Sequence, residues 1–340
     1  MTIASTVDRP EASITRDRSA VPSAVEGRVA VSVDPLTDLS AREPGADKSW
    51  FDSIFIAGQV EARERRFGIL VHILTQPASD ARRLAVVVTD TANGTIESHS
   101  AMLSAEDYYW DRAALLIRAP GLEWSGDAQR QTVSVTTDWG AIKIDLEARG
   151  PALYYAGTGS FPLLGAQQWQ FALPEMRCTG DLTYKGSRFL VEGEVWLDRQ
   201  WGDLPDLKVT RWTWFNLAMP GGDKVAIWNA RSADGSGAED CWATILHPDG
   251  THELVPVRPL ADAAERFHES PTSDFAFPTK WTVRIPSRET VLFVTTTSID
   301  QEIGGLGTSI YEGAATFEGT YRGRPVSGRT YVEQLGNWSR

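Results

Sequence analysis

Three residues able to act on a bound molecule stand in a row, Asp198, Arg199 and Gln200, framed by Trp196 and Trp201 in the run VEGEVWLDRQWGDLP at residues 191–205. A carboxyl group in an aromatic frame can be held neutral and give up a proton, while a guanidinium or an amide can anchor an oxygen. Read as a strand, the run sends Glu192, Glu194, Trp196, Asp198 and Gln200 to one face. Val191, Val195, Leu197, Arg199 and Trp201 go to the other. Each face then carries both an aromatic and a polar group, which predicts apolar protein on one side and a lined cavity or a second sheet on the other. A domain-boundary strand whose Asp198 and Arg199 pair with neighbours and whose tryptophans are core fits the same spacing.

The elements that must position these residues are strands. From Trp50 the chain runs through SIFIAGQVEA, RFGILVHIL and RLAVVVTD, broken by turn chemistry at residues 76–80 and at Ala92-Asn93-Gly94, and continues through QTVSVTTDW and AIKIDLEAR. Short β-rich runs at this spacing predict an all-β sandwich or barrel. Residues 151–190 read as a loop-bearing wall leading into a hairpin, with Tyr154 and Tyr155 as pocket candidates or a packing pair. Beyond the central run come VTRWTWFNLAM, KVAIWNAR, CWATILH, THELVPV, KWTVRIP, TVLFVTTTS, AATFEGTYRG and RTYVEQLG, about seven or eight strands able to close a small barrel with a ligand inside. The two halves share one strand texture, and no helix of convincing length is expected. Trp212, Trp214 and Trp228 are placed to line the second barrel or to fill its core, and Tyr331 and Glu333 share a face of the last strand.

Composition narrows the functional classes. With 42% hydrophobic and 23% charged residues the chain reads as a soluble globular protein, and no run approaches the length needed to span a membrane. The net charge of −12 argues against a nucleic-acid surface and for a neutral or apolar partner. Cys178 and Cys241 lack metal-type spacing and are read as reduced thiols of a cytoplasmic protein. Residues 1–45, rich in Ser, Pro, Ala, Asp and Arg, are expected to be a disordered tail rather than a secretory signal. The expected domains are 46–203 and 204–340. The histidines at 72, 99, 247, 252 and 268 form no HExxH motif, so no metal site is expected. There is no G-x-S-x-G elbow, and Gly304-Gly305-x-Gly307 reads as a flexible loop at a barrel mouth rather than a nucleotide cradle. What remains is Asp, Glu, Tyr, Trp and Arg on an aromatic β scaffold, an inventory suited to acting on an apolar ligand without a cofactor.

The runs VEGEVWLDRQWG, WTWFNLAMPGGDKVAIWNAR and EGTYRGRPVSGRTYVEQLG, with LYYAGTGSFPLLG before them, resemble the carotenoid 1,2-hydratase and AttH-like family over about residues 50–338. The resemblance implies two lipocalin-like β domains side by side, with an apolar pocket in or between them. It departs at Arg199, where the family often carries His. Members of this type include hydratases, for which Asp198 would be the acid, and cyclases that fold a polyene or polyketide for [4+2] ring closure. For the latter, Arg199, Gln200, Tyr331, Tyr154 or Tyr155 would donate to a carbonyl. Because a permanent cation at Arg199 suits a carbonyl or acidic head group better than a carbocation, the cyclase is the expectation. Hydration, or carriage of a lipid or pigment without catalysis, are the alternatives. The substrate and the oligomeric state are not legible.

Overall fold

The computed structural model describes residues 30–304 and 309–338. The chain is built almost wholly of antiparallel strands. They are β1 (Trp50–Ala62), β2 (Arg65–Gln76), β3 (Ala81–Asp90), β4 (Thr95–Met102), β5 (Tyr109–Trp110), β6 (Leu115–Ala119), β7 (Leu122–Gly126), β8 (Arg130–Thr136), β9 (Gly140–Ala148), β10 (Leu153–Tyr154), β11 (Ser160–Leu163), β12 (Ala166–Tyr184) and β13 (Ser187–Asp203). A second set follows: β14 (Thr210–Ala218), β15 (Lys224–Ser232), β16 (Glu239–Leu246), β17 (His252–Pro256), β18 (Ala264–Glu269), β19 (Ala276–Ile285), β20 (Thr290–Thr296), β21 (Glu302–Gly304), β22 (Ser309–Tyr321) and β23 (Arg324–Leu335). The first set pairs in the order β4-β3-β2-β1-β13-β12-β9-β8-β7-β6-β5, with β10 and β11 on β12; the second pairs as β17-β16-β15-β14-β23-β22-β20-β19-β18, with β21 on β22.

The spine of the first sheet is the hairpin of β12 and β13, whose turn puts Lys185 and Gly186 at positive φ, the geometry that matches strand twist in a two-residue turn. A register shift between Leu173 and Met176 bends β12, which pairs with β13 along its length and with β9 beyond the bend. The sheet curls round a core that includes Ile54, Ile56, Val71, Val86, Trp124, Val133, Phe171, Leu197 and Trp201. The second sheet curls likewise round Phe215, Ile227, Phe277, Trp281, Tyr311 and Val332. A third apolar layer, with Phe55, Leu70, Tyr155, Trp196, Trp212, Trp214, Trp228, Ile310 and Tyr331, lies between the two sheets. The strands at this seam are therefore covered on both faces and read as near-continuous apolar runs, not clean alternations.

Two expectations are corrected. The second sheet is filled by its own core, so Trp212, Trp214 and Trp228 do not line its interior; they point outward into the seam. The expected tail of residues 1–45 does not extend to residue 45: Val33 and Leu39 join the first core, the Ser32 amide donates to the Thr158 carbonyl at 2.8 Å, and the Ala41 amide to Asp111 at 2.8 Å. Residues 1–29 of that segment, like Gly305 and Gly307 of the glycine loop, lie outside the described residues. Among the described residues no helix is long and apolar enough to cross a membrane. Cys178 and Cys241 are both free thiols.

Candidate functional site between the sheets

Alternation along β13 divides its chemistry between two places. Asp198 and Trp196 face the seam, while Leu197, Arg199 and Trp201 face the first sheet's own core. Arg199 is fully buried and fully engaged. Its guanidinium pairs with the Asp52 carboxylate and donates to the carbonyls of Asp38 (2.7 Å), Ser40 (2.7 Å) and Ser53 (3.0 Å). It stacks over Trp110 and Trp201 at 4.5 and 5.0 Å from the ring centroids. Arg199 and Trp201 are thus removed from the candidate site. Arg199 ties residues 38–40 to the sheet, and Trp201 packs against it. Tyr154 is also removed: its ring lies against His252 at 5.3 Å and its amide donates to the His252 Nε2 at 2.9 Å, beside β17.

The other candidates converge. The Trp214 indole donates to the Tyr155 hydroxyl at 3.0 Å, and Tyr155 donates to Asp198 Oδ2 at 2.9 Å. Asp198 Oδ1, the Trp196 indole N–H and the Gln170 amide nitrogen, all buried, have no hydrogen-bond partner. Burial holds the Asp198 carboxyl well above the usual carboxylate range. The Tyr155 hydroxyl that donates to it pulls the other way, and the charge of Glu333 adds to the rise. No cation pairs with Asp198 among the described residues.

Elsewhere in the seam, the Trp212 indole donates to Glu333 Oε1 at 2.7 Å. Register places Glu333 of β23 directly opposite Glu312 of β22. Both are buried, and burial raises both: Glu312 goes well above the usual carboxylate range, with the Glu333 charge adding to the rise, while Glu333 is raised less because Trp212, Glu312 and the Arg83 charge pull it back. The hydroxyl of Tyr331 and Oε1 of Glu312 have no partner.

Beside Glu333 the seam holds a cavity of about 50 Å³, lined by Arg83, His72, Gln200, Trp212, Trp228 and Glu333 among others; Asp198 and Tyr155 lie behind its wall. Gln200 donates to the Gln168 side chain at 2.5 Å and Trp228 to Gln170 at 3.3 Å, so both are held in place. This volume holds a few waters or the polar end of a ligand; a polyene needs the walls to part. A second, open groove of about 570 Å³ is lined by Gly58, Glu194, Trp196 and Arg329 among others, with Trp196 buried at its floor.

Sequence reasoning missed Arg83, His72 and Glu312. His72 sits in the middle of the apolar run RFGILVHIL and Glu312 within IYEGAA, and a polar group embedded in a run buried on both faces was the available signal. His72 shares a hydrogen bond with the Ser53 hydroxyl at 2.9 Å, and burial together with the Arg83 charge lowers it to about 3, so it is a neutral imidazole.

Two curled antiparallel sheets enclosing a seam of aromatic rings and buried carboxyl groups define the class to which the chain conforms. The AttH-like family profile matches residues 83–337, and the chain belongs to that family. It is 28% identical to kievitone hydratase of Fusarium solani subsp. phaseoli over 57% of each chain, and 26% identical to dehydratase asqC of Emericella nidulans over 63% of this chain and 64% of that one. The matches thus span less than two thirds of those relatives' own length. Solved structures with the same fold include kievitone hydratase from Nectria haematococca (TM-score 0.73, 22% identity, 84% of this chain and 89% of that one). They also include a putative AttH from Nitrosomonas europaea (0.75, 17%, 93% and 99%), and CghA with Sch210972 (0.58, 13%, 91% and 97%).

Proposed function

We propose that this chain is an enzyme that adds water to, or removes it across, a carbon–carbon bond of an apolar small molecule held between the two sheets. The observation that carries the reading is the state of Asp198: buried, bonded to a neutral tyrosine and, among the described residues, paired with no cation. Burial favours the protonated form of such a carboxyl group, which can give its proton to an alkene carbon, and nearby indole faces favour the cation that forms. Water then adds to the cation and returns a proton to the carboxylate, so one proton is lent and recovered. Read backwards, the same steps expel water. Glu333, which lines the cavity and faces Glu312, supplies a second carboxyl able to take or give that proton.

The relatives named hydratase and dehydratase support the same class of reaction. Ring closure was expected from Arg199 as an anchor in the pocket, whereas Arg199 faces the other way, bound to Asp52. The test is turnover by the wild type, Asp198→Asn and Glu333→Gln on kievitone, on an acyclic carotenoid and on a linear polyene tetramate, in heavy-oxygen water. Labelled alcohol, lost in Asp198→Asn, is the expected result. Unlabelled ring closure that survives Asp198→Asn overturns the reading in favour of a cyclase, and tight binding without product in favour of a carrier.

A further inference from the structure

The seam contains a buried cation that forms no ion pair among the described residues. Arg83, on β3, turns its side chain into the seam alongside Ala85 and Val87 and is 2% exposed. Its guanidinium lines the inter-sheet cavity; Nε donates to the Ser100 hydroxyl at 3.2 Å, and Nη2 has no partner. Among the described residues no carboxylate stands within ion-pair distance of it. Its titratable neighbours are His72, Glu312 and Glu333. His72 is neutral, and the two glutamates face each other across β22 and β23, where burial raises both and the charge of Glu333 disfavours that of Glu312. An arginine does not give up its proton in a protein, and an uncompensated buried charge is costly. The fold shows what a completed buried guanidinium looks like at Arg199, which has a carboxylate and several carbonyls round it. Arg83 has one hydroxyl.

We propose that the inter-sheet cavity takes ligands whose buried end carries an anionic oxygen, a carboxylate, phenolate or enolate, seated on Nη2 of Arg83. This deepens the water-addition reading, on which it rests for the identity of the site. It names the substrate class as an apolar molecule with one acidic oxygen. The cation that sequence reasoning sought at Arg199 is supplied by a strand more than a hundred residues earlier. The competing account is internal: either Glu312 or Glu333 ionises and serves as the counter-ion, and the cavity then has no preference for an anion.

Benzoate and benzamide, one anionic and one neutral with the same outline, separate the two accounts. Each is titrated at pH 7 into the full chain, and quenching of tryptophan fluorescence is followed, since Trp212 and Trp228 line the cavity. Benzoate is expected to bind at least about tenfold more tightly than benzamide, in line with a charge-assisted bond in a dry site. Arg83→Met is expected to erase the preference and Arg83→Lys to retain part of it. Equal binding of the two probes by the wild type, or a preference that survives Arg83→Met, overturns the proposal. Should Arg83→Met not fold, the wild-type comparison and a reduced preference in Arg83→Lys decide. Asp198→Asn keeps the benzoate preference even where it loses turnover, so a failure of the water-addition reading and a failure of this one are told apart.

Discussion

Asp198 and Arg199 are neighbours in the chain, yet one serves the seam and the other the first core, because successive side chains of a strand point to opposite faces. The sequence shows that division but not which face holds a ligand, since the partners of Arg199 lie some 150 residues away at Asp38, Ser40 and Asp52. Arg199→Met is expected to cost about 3–5 kcal/mol, because it leaves the Asp52 carboxylate buried and alone. Urea unfolding followed by circular dichroism measures the loss, and the double variant Arg199→Met, Asp52→Leu should recover part of it. A merely substrate-binding Arg199 would leave stability unchanged. His72 makes the fold acid-sensitive. Its folded value of about 3 lies below the ordinary histidine value of 6.5, so the unfolded chain takes up a proton first, and stability present above pH 6.5 is lost as the pH falls towards 3. The loss is on the order of several kcal/mol. His72→Gln is expected to move the acid-unfolding midpoint to lower pH, and an unchanged midpoint would show His72 to be solvated. Glu312 works with the opposite sign: its raised value stabilises the fold below the ordinary glutamate range and loses that contribution as the pH rises through the folded value.

At the scale of elements, much was legible. Runs such as RLAVVVTD and KVAIWNAR are strands where the pattern places them, and the turns at Asn93-Gly94 and Pro220-Gly221-Gly222-Asp223 punctuate them. Which side of Trp212 and Trp214 faces a core was not legible, because both sides are apolar and periodicity cannot rank two buried faces. The closeness of the sheets was not legible either, and glycine is its cause. Gly68 of β2 lies so near β22 that a Cβ there would stand 2.6 Å from the Ala314 Cβ. Its φ is not positive, so the constraint is purely one of space. Gly68→Ala is expected to cost about 1–3 kcal/mol by overpacking the seam. Gly68→Ala combined with Ala314→Gly should restore most of it, with urea midpoints as the measure. Failure of the second change to rescue the first would mean that the strain is not at this contact.

At the scale of the whole molecule, the seam is as much a core as the interior of either sheet. Gln59 of β1 donates to the Ala315 and Thr330 carbonyls at 2.8 and 3.1 Å, crossing from one sheet to the other. Gln301 accepts from the Thr89 hydroxyl and from the Ala314 amide, both at 3.0 Å. These bonds satisfy backbone groups that no water reaches, so parting the sheets leaves them unmade and uncovers Trp212, Trp214, Trp228, Ile310 and Leu335 together. A contiguous apolar face of that kind is not tolerated on a soluble monomer. Residues 30–203 and 204–340 produced separately are therefore expected to aggregate or to bind a hydrophobic dye strongly, and when mixed from denaturant to re-form one species with a single unfolding transition. Two halves that fold alone, stay monomeric and unfold independently would show that the seam closes only round a ligand. The cavity volume would then be a property of the empty protein, and Arg83 and Asp198 would be exposed to water until the substrate arrives.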